Sequence, residues 1–125
     1  MLLSKFISDI FNLLQDQSEN ELIEKQIQCL SNIEYDYTSM GLFVRFSYSE
    51  EVFNYRLKNE NTILGEIFIK SNELNDHALG HFFLKEGIID YLEIWSVSGN
   101  YPNKELDNYI ITQDWVGSLQ RQIIK

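Results

Sequence analysis

The sequence predicts an α+β fold: an antiparallel five- to six-stranded sheet, with N-terminal helices and a C-terminal helix packed on one face. Three observations predict it. Apolar residues recur at helical spacing near both ends of the chain, they alternate with other residues through its middle, and the turns between alternating runs are too short for parallel crossovers. At 125 residues the chain is expected to be a single domain, residues 1–125, able to bury a core without metal or disulfide staples.

Leu3, Phe6, Ile7, Ile10, Phe11 and Leu14 make residues 2–15 an amphipathic helix. Ser18 with Glu21 has capping-box spacing, and Ile23, Ile27 and Leu30 carry a second helix to about Ser31. From Ile33 the period becomes two, with Ile33, Tyr35 and Tyr37 on one side and Glu34, Asp36 and Thr38 on the other. Ser39-Met40-Gly41 turns the chain into a second strand, where Leu42, Val44, Phe46 and Tyr48 alternate with Phe43, Arg45 and Ser47. Residues 52–57 alternate again and are expected to be a third strand, in a hairpin with the second. Residues 62–70 form a fourth, partly apolar on both sides and therefore central.

Residues 79–97 carry the plainest signal, two aromatic and aliphatic runs divided by Lys85-Glu86-Gly87. They read as a hairpin of strands five and six, Gly87 supplying the positive φ of a short reversal. Turn formers and the one proline fill 98–103, and 109–112 reads as a short edge strand. Asp114 is placed to cap a last helix in which Trp115 or Val116, Leu119 and Ile123 share a face, with Arg121 and Lys125 near its C-terminal end. The strands are expected to follow one another as a meander.

Charge excludes one class of ligand. Nineteen acidic residues against ten basic ones leave −9, and residues 50–107 hold eleven of those acids against five bases. Such a surface repels phosphate backbones, so no nucleic-acid partner is expected; it attracts basic proteins. Ser8, Asp9 and Asn12 interrupt the apolar N-terminus, and no run approaches the roughly 18 apolar residues of a membrane span. A cytoplasmic chain without export signal or membrane contact is therefore expected. The lone Cys29 fits a reducing compartment and a core position.

Catalytic patterns are missing. His77 and His81 are four apart, but on loop and strand, where that spacing does not build a metal site. Glu93 lies among large apolar residues, and three residues from Asp90 it is expected on the opposite strand face, which rules out a carboxylate pair. Neither a Gly-x-Ser-x-Gly elbow nor a phosphate-cradling glycine loop occurs. No enzyme, metal or cofactor is expected. Phe43, Phe53, Tyr55, Phe83, Tyr91, Trp95 and Tyr101 are more aromatics than one core face requires. Either a two-sided core absorbs them or some are exposed as anchors for a protein partner.

The run from Tyr37 to Phe46, the run from Gly80 to Ile94 and the pair Tyr101-Pro102 together resemble small bacterial proteins that include immunity-like partners of polymorphic toxins and of contact-dependent growth inhibition systems. The resemblance covers residues 37 to about 102 and departs at Ser39, where that pattern more often has Gly. It implies a cytoplasmic antidote that binds a toxin domain, in many cases a nuclease with a basic cleft, and blocks its active or substrate-binding surface. The acids and aromatics expected to engage such a basic protein are Glu50, Glu51, Tyr55, Glu60, Glu73, Asp76 and Asp90. The alternative is a small-ligand-binding or housekeeping α+β domain with an apolar pocket.

Overall fold

A computed structural model describes residues 3–58 and 62–125. It is an α+β arrangement built on an open, seven-stranded antiparallel sheet. The elements in chain order are α1 (Lys5–Leu14), α2 (Asn20–Gln28), β1 (Leu30–Tyr37), β2 (Gly41–Tyr48), a 3₁₀ helix (Glu50–Tyr55), β3 (Ile63–Lys70), β4 (Ala78–Lys85), β5 (Ile88–Ser96), β6 (Ile110–Gln113) and β7 (Gln122–Ile124). The sheet order is β1-β2-β5-β4-β3-β6-β7. Consecutive strands are neighbours within β1-β2, β3-β4-β5 and β6-β7, but the expected single meander is broken because β3, β4 and β5 run back toward β2 and fill the middle of the sheet.

Both N-terminal helices form. Ser4 caps α1, its Oγ accepting the N–H of Ile7 at 3.3 Å. The apolar stripe of α1 then buries Phe6, Ile7, Ile10, Phe11, Leu13 and Leu14 against Leu42, Val44, Phe82, Leu92, Ile94 and Ile67. The second helix starts later than expected: Ser18 caps nothing, Glu19 stands at the N-cap, and the helix stops at Gln28 because β1 takes the chain from Leu30.

Two expectations are corrected. Residues 52–57 are not a strand, because Glu50–Tyr55 wind into the 3₁₀ helix, and β2 pairs with β5 instead. The local alternation was outweighed by packing: Val52 is buried with Cys29 and Ile88, Leu57 joins the main core, and Phe53 is left half exposed. The C-terminal helix is also absent. Gly117 and Gln120 adopt positive φ of 87° and 57°, which breaks a right-handed helix, and the chain returns as β7 beside β6 with Ile110 opposite Ile124. Val116 and Leu119 stand in solvent instead of on a buried face. With β7 outermost, β6 is an interior strand.

Three buried polar side chains join distant segments. Gln26 donates to the carbonyls of Tyr55 (2.8 Å) and Gly87 (2.9 Å) and accepts from the N–H of Ile89 (3.0 Å), tying α2 to the 3₁₀ helix and the β4–β5 hairpin. Asp9 accepts from the Tyr109 hydroxyl at 2.6 Å, and burial followed by that bond pushes the phenol pKa well up. Gln113 donates to the Leu13 carbonyl and to Asp16, and Arg121 closes the set with bonds to Asp16 and to the Asn12 carbonyl. That guanidinium sits at the C-terminal end of α1, where free carbonyls and the helix dipole favour a cation. Among the described residues no helix is long and apolar enough to cross a membrane.

Candidate functional site

The pleat gives every strand two faces, and the helices cover only one. On the covered face β2 presents Leu42, Val44 and Phe46, all buried. The alternate residues, Phe43 and Arg45, stand on the other face, which no helix covers among the described residues. β5 repeats the division, with Leu92 and Ile94 buried and Tyr91, Glu93 and Trp95 partly exposed.

Register assembles that open face into three rows. The middle row runs Asp36, Phe43, Glu93, His81, Glu66 across β1, β2, β5, β4 and β3, each residue directly opposite the next. On one side lies Glu34, Arg45, Tyr91, Phe83, Ile63. On the other, Trp95 is opposite Leu79 and Leu79 opposite Phe68, with Gly41 beside Trp95. Gly41 permits this closeness, since a Cβ there would lie 1.9 Å from the Ile94 carbonyl oxygen. The result is a row bearing Asp36, Glu93 and Glu66 between two ring-bearing rows, one of which also carries Glu34 and Arg45 at its β1 and β2 end.

The rings touch one another laterally. Phe83 and Tyr91 stack at 4.7 Å between centroids with planes 12° apart, and His81 lies 4.9 Å from Trp95. Phe43 is 6.1 Å from Tyr91, and Arg45 places its guanidinium carbon 5.9 Å above the Phe43 ring. His81 Nε2 is 3.1 Å from Glu66 Oε1, the imidazole largely covered and the carboxylate about one-third exposed. These contacts hold the rings against one another and leave each of them partly exposed.

The seven residues expected to bind a partner are dispersed. Glu50, Glu51 and Tyr55 lie on the 3₁₀ helix, where the Tyr55 hydroxyl donates to Glu51 at 3.4 Å. Asp90 occupies a β-bulge between the Phe83–Tyr91 and Leu84–Ile89 pairs, so strict alternation between it and Glu93 is broken. With Glu50, Glu86 and Lys85 it rims a cleft of about 290 Å³ floored by Phe46, Tyr48, Val52, Phe53 and Ile88. Glu73 and Asp76 belong to the 71–77 connection at the other end of β4, about 24 Å away along the strand.

Those last two acids are occupied. Glu73 accepts from Lys104 and from the N–H groups of Asp107 (2.7 Å) and Asn108 (3.1 Å), and the Lys104 bond leads in holding its carboxyl below the ordinary 4.5. Asp76 accepts from the backbone N–H of His77 and faces its ring, which lowers its pKa from 3.8. Glu60 lies outside the described residues. Sequence reasoning therefore chose acids along a charge-rich stretch and missed Glu34, Asp36 and Glu66. Their signal was in the alternation, since each occupies the non-core phase of its strand.

The described residues contain no cluster of three His, Cys, Asp or Glu able to hold a metal. Glu93 is flanked on its own face by the β2 and β4 residues Phe43 and His81. No family model, curated protein or solved structure matches this chain.

Proposed function

We propose that this chain is a non-enzymatic immunity protein that binds a basic toxin domain and neutralises it by covering its active or substrate-binding surface. The observation that carries the reading is the uncovered sheet face. Tyr, Trp and Phe are the anchors protein interfaces favour, and here they come from four adjacent strands with acids interleaved at fixed register. A net charge of −9 speeds encounter with a basic partner and disfavours nucleic acid. Glu50, Glu51, Tyr55 and Asp90, near the hairpin end of the sheet, extend the acidic field beyond the aromatic rows.

The small-ligand alternative rests on the cleft beside the 3₁₀ helix. Its volume of about 290 Å³ is at the lower limit for ligand pockets.

Toxicity rescue tests the proposal. The product of the reading frame immediately upstream is expressed in a bacterium with and without this protein, and survivors are counted. Survival that depends on this protein is the expected result. A harmless upstream product, or equal killing in its presence, would overturn the reading.

A further inference from the structure

The partner chemistry of the open face can be stated more closely, and the statement rests on the binding reading above. We infer that the row between the two ring-bearing rows is a trough for arginine side chains, supplied by an arginine-rich segment of the partner protein. Neighbouring rows on one sheet face lie about 7 Å apart, so on β5 the Glu93 carboxylate stands midway between the Tyr91 and Trp95 rings, roughly 14 Å apart. A guanidinium is the cation that uses both features. Its plane stacks on an aromatic ring, its fork pairs with a carboxylate in two parallel hydrogen bonds, and its weak hydration makes its transfer from water less costly than that of an ammonium.

One guanidinium already lies against a ring of this face: Arg45 is over Phe43, 5.9 Å from its centroid, with Glu34 opposite it in the register though not ion-paired to it. Glu93, between Tyr91 and Trp95 on its own strand and opposite His81, repeats the combination of carboxylate and rings, and among the described residues no Lys or Arg pairs with it. Among the described residues the ionisable groups of the three rows are Arg45 and His81 with the Tyr91 phenol, and Glu34, Asp36, Glu66 and Glu93; Lys70 continues the same side of β3, and His77, paired with Asp76, stacks on Phe68 at 4.5 Å. Four acids against two full cations, Arg45 and Lys70, leave the face net negative and complementary to added cations. The same excess sets two copies of the face against each other, so a second copy of this chain is not the occupant.

Hexa-arginine and hexa-lysine peptides are titrated into the full chain at low salt, in a Trp115→Phe background so that emission reports Trp95 alone. Hexa-arginine is expected to perturb Trp95 and to bind about fivefold or more tightly than hexa-lysine. Glu66→Gln with Glu93→Gln should weaken it by about tenfold. Glu21→Gln with Glu24→Gln removes the same charge from α2 and should change it less than twofold. Equal binding of the two peptides, or equal loss in the two double variants, would reduce the effect to general attraction by an acidic surface and overturn the inference. Concentration-dependent self-association that blocks the peptide would overturn it as well. If the arginine preference holds while the upstream product is harmless, the trough stands and the antidote reading falls. If rescue succeeds without arginine preference, the reverse is true.

Discussion

The two faces of this sheet come from the same strands, yet they are composed differently. Under the helices, β2 and β5 contribute Leu42, Val44, Leu92 and Ile94, and β4 contributes Gly80 and Phe82, a mixture that fills space against α1. One residue away along each strand, the open face has Phe43, Tyr91, Trp95 and Phe83 with Glu93 and His81 among them. A solvent-facing sheet surface needs only polar residues for solubility. Large rings held there at register are what the proposed partner would cover.

The contrast breaks if both faces respond alike to truncation. Phe82→Ala on the covered face should cost about 4 kcal/mol of unfolding free energy, measured by urea denaturation, because it removes a fully buried ring beside Phe11. Gln26→Leu should cost about 3 kcal/mol, since it strands the Tyr55 and Gly87 carbonyls and the Ile89 N–H in a buried place. Tyr91→Ala on the open face should cost only about 1 kcal/mol, the value of its stack on Phe83. A loss at Tyr91 equal to that at Phe82 would make the open face a second core.

Acid sharpens the account at the sheet edge. Hydrogen bonds from Arg121 and then Gln113 hold the Asp16 carboxyl below its ordinary 3.8. A carboxyl depressed in the folded state contributes stability that is full above its unfolded pKa and lost as pH falls through its folded value. The wild-type chain should therefore lose urea resistance below about pH 4, and Arg121→Ala should be less stable at neutral pH but lose less on acidification. An identical acid slope in the two proteins would remove Asp16 from that explanation.

The smallest expected effect is at the hairpin tip. Glu86 and Gly87 both have positive φ, 53° and 80°, as a two-residue reversal requires, but only glycine adopts it without cost. Glu86→Gly should raise stability by up to about 1 kcal/mol. A decrease would show that the Glu86 side chain contributes more than its backbone costs.

Legibility in the sequence followed the same division. The α1 stripe, β2 and the β4–β5 hairpin were readable because each periodicity is local and is enforced by the covered face. Residues 52–57 misled because alternation over six residues is outweighed by one buried contact set around Val52 and Cys29. The C-terminus misled because Leu119 and Ile123 have helical spacing while Gly117 and Gln120 take backbone angles that no spacing reveals. The aromatic surplus was visible, but its arrangement was not: rows depend on strand order, and β5 lies beside β2 only because β3, β4 and β5 run backward through the sheet. Acids chosen by charge density alone included Glu73, whose carboxylate is consumed by Lys104 and two backbone donors.

The central claim is that the partner covers the open face, and hydroxyl-radical footprinting of the complex with the upstream-encoded toxin domain tests it most directly. Oxidation of Tyr91 and Trp95 should fall severalfold on complex formation, while Phe53, on the 3₁₀ helix, and Trp115 stay as reactive as in the free protein. Protection of Phe53 and Tyr55 with Trp95 unchanged would contradict the account and move the binding surface to the cleft beside that helix.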